Sequence, residues 1–329
     1  MNSYIGHPFQ VYGVEEYTLS GGRKEGNKIL HVKNGLGLDM TSSLSRGGDI
    51  VSLTYKGVNV SYLTPNGQVN PAYYDDRQDG WIKTFQGGFL TTCGFNNVGT
   101  PCEDENGKYP LHGSINQLPI ENYSYDLIDD EHIDIRLVSL DESIFSRKLK
   151  RTRHILISLL ENKFSIKDDI VNRGGEACPV LVLYHFNLGY PLLKEDLQIN
   201  INYESIESRN EHAEKFVKEW NKIEKPTSYF EEMCYFLKMK NNIGLAKVYS
   251  PSENIGLSIK YDAKSLPFFT EWKMNGIRDY VLGLEPGNVT PEGRVINKMK
   301  NRIVTIEKDE RLHYEIDIEL FDNKKEFLK

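Results

Sequence analysis

Apolar and polar residues alternate along most of the chain. In residues 131–138 (EHIDIRLV), Ile133, Ile135 and Leu137 alternate with His132, Asp134 and Arg136. A period of two is what a half-buried β-strand produces, because successive side chains point to opposite faces. Similar runs predict strands at 50–55, 154–160, 164–171, 245–250, 255–261 and 279–284, and the 303–321 stretch reads as two strands around a KDER turn. Residues 178–187 (CPVLVLYHFN) are apolar on both faces, which predicts a strand covered from both sides. Helical spacing occurs once, at Ala213, Phe216, Val217, Trp220 and Ile223, within a polar insertion over 205–226 that ends at Pro226. Strands do not alternate with helices, so a parallel α/β sheet is not expected. No low-complexity linker or internal repeat divides the chain. The expectation is an all-β protein: one large antiparallel domain over residues 1–329 with a short helical insertion.

Composition narrows the function classes. The chain has 329 residues and a net charge of −7, with 39% hydrophobic and 26% charged residues. That balance is ordinary for a globular protein large enough to bury a core without staples, and excludes disordered and collagen-like chains. A moderately acidic chain has no electrostatic footprint for nucleic acid or an anionic membrane. No apolar run approaches the length of a membrane-spanning helix, and MNSYIGHPFQVYG lacks the charged and apolar regions of a signal peptide. Cys93, Cys102, Cys178 and Cys234 are too sparse for a disulfide framework and fit reduced thiols in the cytoplasm. Phosphate-binding loops, dinucleotide fingerprints, HExxH and GxSxG are all missing from the sequence.

Three segments carry candidate chemistry. Gly87–Gly94 (GGFLTTCG) is followed by Tyr109-Pro110-Leu111-His112-Gly113, placing a histidine beside glycine in an uncrowded turn. His112 there either faces a ligand or hydrogen-bonds locally. In Tyr184–Pro191 (YHFNLGYP), His185 shares a strand face with Leu181 and Leu183, where a polar group must find partners or face a cavity. It is either a proton donor or acceptor near neutral pH or a satisfied core histidine. In Tyr280–Asn288 (YVLGLEPGN), Glu285 ends an otherwise uncharged strand before a proline and a glycine. It is either a general base or an exposed strand-end carboxylate.

Taken with SRGGDI at 45–50 and YHFNLGYPLL at 184–193, these segments resemble the aldose 1-epimerase, or galactose mutarotase-like, superfamily in a divergent branch. The matching pieces follow the family's order over about 240 residues. The resemblance implies a β-supersandwich with an open sugar cleft and cofactor-free catalysis. Glu285 would take the proton of the anomeric hydroxyl, His185 would protonate the ring oxygen, and His112 would bind and polarise the same region. Trp81, Tyr190 and Trp272 are candidate sugar platforms, and Asn187 and Asp49 candidate hydroxyl ligands. The family's substrate-binding arginine has no counterpart in CGFNNVG (93–99), which leaves Arg46, Arg77 and Lys273 as candidate cations. The histidine motif reads Y-H-F-N-L where mutarotases have H-x-Y-F-N-L. The expected partner is a small-molecule sugar, with no metal. Two further readings use the same residues: a non-catalytic carbohydrate-binding protein, and a sugar isomerase or lyase holding a metal with His112, His185 and Glu285.

Overall fold

The computed structural model describes residues 3–329. Its strands form a twelve-stranded and an eight-stranded sheet plus two small two-stranded ones, and every strand pairing is antiparallel. From its interior to one edge the larger sheet runs Ile50–Tyr55, Leu90–Phe95, Cys178–Leu188, Tyr280–Gly287, Phe268–Asn275, Met233–Met239 and Tyr203–Ser208. The smaller runs Asn122–Ile128, His132–Glu142, Lys148–Ser158, Lys163–Asn172, Arg311–Phe321, Ile255–Asp262, Ile243–Ser250 and Gln198–Ile201. The all-β expectation is met.

The alternation of residues 131–138 does what its period requires. Ile133, Ile135 and Leu137 are buried while His132, Asp134 and Arg136 are half-exposed, and the apolar residues of both sheets join one continuous core. The doubly apolar strand is also explained. Val180, Val182, Tyr184 and Phe186 enter that core, whereas Leu181 and Leu183 point the other way into a second cluster with Trp81, Phe85, Cys93, Val98 and Val289. This second cluster lies on the side of the sheet to which His185 belongs.

Two expectations change. The strands on either side of the KDER turn do not pair with each other. Val304–Ile306 joins Cys178–Leu188, whereas Arg311–Phe321 lies between Lys163–Asn172 and Ile255–Asp262 in the other sheet. The insertion is also less helical than its spacing predicts. Tyr203–Ser208 is an edge strand, the α-helix covers only Glu211–Lys215, and a 3-10 turn follows at Val217–Glu219. Phe216 leaves helical geometry at φ −112°, ψ 8°. The apolar stripe still packs inward, with Ala213, Trp220 and Ile223 buried. Core contact rather than continued helix sets those positions, and beyond the 3-10 turn the carbonyls of Glu219, Trp220 and Lys222 accept from Lys273.

An ionic network ties the sheets together behind Cys178–Leu188. Arg153, fully buried on Lys148–Ser158, donates to both carboxylate oxygens of Asp168 (2.8 and 2.7 Å), to Thr92 Oγ1 (2.9 Å) and to Asp49 Oδ1 (3.4 Å). Tyr184 adds its hydroxyl to Asp168 at 2.9 Å. All four cysteines are free. No helix among the described residues is long and apolar enough to cross a membrane.

Candidate active site

A cleft of about 950 Å³ opens on the face of the larger sheet opposite the core, lined by His112, His185 and Glu285 together with Trp81 and Trp272. Strand register places its centre. Cys178–Leu188 pairs with Tyr280–Gly287 at Leu183–Gly287 and again at Phe186–Leu284. That one register puts His185 opposite Glu285, and the ladder skips the two rows between. Pro286 occupies one of those rows and has no N–H to give, so the interruption follows from the sequence. Tyr280–Gly287 continues past Glu285, so the carboxylate is not at a strand end. It is 2% exposed and projects from mid-strand.

His185 Nε2 lies 3.2 Å from Glu285 Oε1. The contact lacks hydrogen-bond alignment, and neither Glu285 Oε1 nor His185 Nδ1 has a hydrogen-bond partner among the described residues. Orphaned buried polar atoms are costly, and their concentration at the floor of a cleft marks a place prepared for a ligand. Burial pushes Glu285 well above the usual carboxylate range, with Glu271 and Glu232 adding to the shift and Arg209 opposing it. Burial pulls His185 down to about 3, and the nearby Asn187 side chain opposes this only in part. A carboxylic acid beside a neutral imidazole is therefore the favoured resting pair.

His112 sits in the left-handed region at φ +56°, held between neighbours. Its N–H donates to the Gly99 carbonyl (3.0 Å), its carbonyl accepts from Gly94 N–H (2.9 Å), and its Nδ1 accepts from Gly99 N–H (3.3 Å). With Nδ1 accepting, the ring proton belongs on Nε2. Burial, then the nearby His185 and Arg209, hold His112 well below the ordinary imidazole value, so it is a neutral donor. Aromatic walls enclose the three groups. Trp81 stacks on Phe85 (4.5 Å between centroids) and lies 4.8 Å from His112, and Trp272 meets His185 edge-on at 5.4 Å.

Gly283 makes space for the carboxylate. A Cβ at this position would fall 2.4 Å from Glu285 Oε1 and 3.2 Å from Trp272 Cβ. Its backbone φ lies outside the left-handed region, so Gly283→Ala acts through crowding alone. If Glu285 is the reacting group, Gly283→Ala will lower kcat for its reaction by roughly 10–100-fold through carboxylate displacement. An unchanged kcat in a folded variant would show that the position of Glu285 does not matter.

The other sequence candidates lie elsewhere. Arg46 is buried with Nη1 on the Val69 carbonyl (2.9 Å), and burial pulls it down to about 10. Asp49 belongs to the inter-sheet network described above, its carboxylate accepting from Thr92 Oγ1 at 2.7 Å. Lys273 points away from the cleft, its Nζ donating to the carbonyls of Glu219 (3.3 Å), Trp220 (3.1 Å) and Lys222 (2.9 Å). Arg77 is solvent-exposed and clamps Asp75 in a neighbouring depression. Asn187 is buried and donates to the Gly88 and His185 carbonyls, and Tyr190 is 68% exposed outside the cleft lining. For Asp49 and Lys273 the reason is desolvation: a buried aspartate or lysine is satisfied by counter-ions or carbonyls inside the protein and is not presented to a ligand.

Two cations line the cleft: Lys83, paired with Asp75 at 3.4 Å, and Arg209, which lies between the Tyr203–Ser208 strand and the helix cap Asn210. Arg209 reaches Thr100 Oγ1 at 3.3 Å and Glu232 at 3.8 Å, and Glu232 also accepts from the Trp272 indole at 2.8 Å. A single sequence gives no signal that separates Arg209 from the lysines that surround it in the polar insertion. Behind the sheet, Glu271 is fully buried with neither oxygen hydrogen-bonded among the described residues, and burial pushes it up to about 8. No group of three or more His, Cys, Asp or Glu side chains among the described residues is arranged to hold a metal ion.

Comparison with known proteins agrees with this architecture. The chain is similar to a Klebsiella pneumoniae protein provisionally described as an aldose 1-epimerase, at 25% identity and a TM-score of 0.89 over 96% of this chain and 85% of that one. It is similar in fold to a galactose mutarotase-like protein from Clostridium acetobutylicum (14% identity, TM-score 0.66, 95% and 99% covered). The same holds for the galactose 1-epimerase of Lactobacillus acidophilus (14% identity, TM-score 0.64, 95% and 99% covered). The fold is thus the galactose mutarotase-like β-sandwich that the sequence motifs implied. No curated protein matches the chain. The family model that does match, over residues 24–320, is the domain of unknown function DUF4432, and the chain belongs to that family.

Proposed function

We propose that the protein interconverts the anomers of a sugar by cofactor-free acid/base catalysis. The observation that carries this reading is the buried His185–Glu285 pair, 3.2 Å apart with orphaned polar atoms at the floor of an aromatic-walled cleft. Ring opening takes a proton from the anomeric hydroxyl and delivers one to the ring oxygen, and reclosure on the other face reverses both transfers. Two groups sharing one proton are sufficient. Glu285 acts at the anomeric hydroxyl and His185 at the ring oxygen. The closed-ring complex then holds carboxylate and imidazolium, and the open-chain complex holds carboxylic acid and imidazole.

Burial favours the neutral state, so the enclosed pair favours the open-chain side of the cycle. Arg209 offsets part of the cost of ionising Glu285 in the closed-ring complex. His112 contributes as a neutral Nε2–H donor to a sugar oxygen, and Trp81 and Trp272 offer flat apolar surfaces to the ring.

The test is two-dimensional exchange NMR on a panel of free aldoses. Anomer exchange accelerated for at least one sugar is the expected result. Saturable binding with no acceleration for any sugar would replace this reading with that of a carbohydrate-binding protein.

The pH dependence has a definite sign. The pair holds one proton between the lowered value of His185 and the raised value of Glu285. As pH rises through the Glu285 value the pair loses its only proton, so kcat/KM will be flat between the lowered His185 value and the raised Glu285 value and fall as pH rises through the latter. A loss of activity on lowering the pH from about 7 to about 5, with the profile of an ordinary imidazole, would contradict a neutral buried His185.

A further inference from the structure

The cleft extends well beyond the reacting pair. Its volume of about 950 Å³ lies near the top of the range of roughly 300–1,000 Å³ that encloses drug-sized ligands. A single pyranose is much smaller than that. Strand geometry shows where the extra space lies. Along Tyr280–Gly287 the residues on the cleft face are Glu285, Gly283 and Val281, and on the neighbouring strand their partners are Thr270, Trp272 and Met274. Each step of two residues advances about 6.6 Å. Val281 and Met274 thus lie about 13 Å along the strand from Glu285, and Asp279, just before the strand, about 20 Å. A pyranose with its anomeric carbon at Glu285 covers Gly283 and Trp272 and ends short of Val281.

We propose that this distal end is a second sugar subsite, and that the substrate is a reducing disaccharide or the reducing end of a longer saccharide. The proposal rests on the anomer-exchange reading above. Val281 and Met274 provide an apolar floor for the C–H face of the second ring. Tyr62 and Asp279 close the end, with the Tyr62 hydroxyl donating to Asp279 Oδ1 at 3.4 Å. An aromatic ring beside a carboxylate is a natural pairing for a pyranose, one taking its apolar face and the other its hydroxyls. The turn that presents Asp279 is fixed by Gly276 N–H donating to the Asp279 carbonyl at 3.1 Å.

Reducing disaccharides of 1,3-, 1,4- and 1,6-linkage and their reducing-end monosaccharides are compared for anomer exchange, and titrated calorimetrically, with wild type and Asp279→Ala. At least one disaccharide is expected to bind ten times or more tighter than its monosaccharide, with kcat/KM raised in the same proportion. In Asp279→Ala both ratios are expected to fall close to one. Equal affinity for disaccharide and monosaccharide across the panel, or a preference that survives Asp279→Ala, overturns the second subsite whatever the exchange rates are. A disaccharide preference in binding with no accelerated exchange keeps the subsite and removes the anomer-exchange reading. Binding of no saccharide overturns both.

Discussion

Glu285→Gln will lower kcat for anomer exchange by about 10²–10⁴-fold, the usual contribution of a positioned acid or base, while sugar affinity changes much less. The substitution is close to isosteric, and the wild-type carboxyl is held toward its neutral form by burial. An amide therefore fits the site without a new buried charge and keeps a hydrogen-bonding group where the carboxyl was. What it removes is the exchangeable proton. Line-shape or exchange NMR measures the rate, calorimetry on the same preparation the affinity, and circular dichroism the fold. A folded variant that exchanges anomers at the wild-type rate would take Glu285 out of the chemistry. The partner variant His185→Gln should lose rate comparably, and the two losses together should fall well short of additive, because two groups that share one proton act as a unit.

The largest expected effect on stability is at Arg153. Arg153→Ala will destabilise the fold by about 3–5 kcal/mol, because breaking a buried ion pair on one side leaves the other charge uncompensated. Two carboxylates, Asp168 and Asp49, depend on this guanidinium, and Thr92 loses its donor as well. These contacts join Lys148–Ser158 of one sheet to Leu90–Phe95 of the other, so the loss should appear in global unfolding and not as local fraying. Urea titration of both proteins measures it. A change below about 1 kcal/mol would mean that neighbouring Arg151 takes over the charge, since it already acts on the same carboxylates.

Much of the fold was legible because it rests on local periodicity. Ile133, Ile135 and Leu137 announce their strand without help from the rest of the chain. The doubly apolar 178–187 run announces a strand covered on both faces, as Val180 and Leu181 show by entering different clusters. Pairing across long sequence separations was not legible in the same way. The two strands beside the KDER turn look like a hairpin locally, yet each finds a better apolar partner elsewhere.

The site divides along the same line. His112, His185 and Glu285 stand out because a polar residue in apolar or glycine-rich surroundings is unusual within its own segment. Arg46, Asp49 and Lys273 stand out for the same reason, and the sequence cannot distinguish a polar group saved for a ligand from one consumed by buried neighbours. Arg209 and Asp279 sit in polar surroundings where nothing marks them. Pro286 could be read only as a strand terminator, although in the folded chain it interrupts one ladder from inside the strand.

The three carbonyls gripped by Lys273 bear on how the cleft is entered. The segment that follows Arg209 and its helix is fastened to the sheet at Glu219, Trp220 and Lys222 by that ammonium. It is fastened again where Glu224 meets Asn275 and the Tyr280 hydroxyl. These anchors hold residues 219–224 against the sheet, and under the proposed function Arg209 would stand at the cleft before a sugar arrives. Binding at the proposed site would then draw little on the free energy of ordering this segment. If this segment does not close, the proposed sugar would exclude water by its own fit against Trp81 and Trp272.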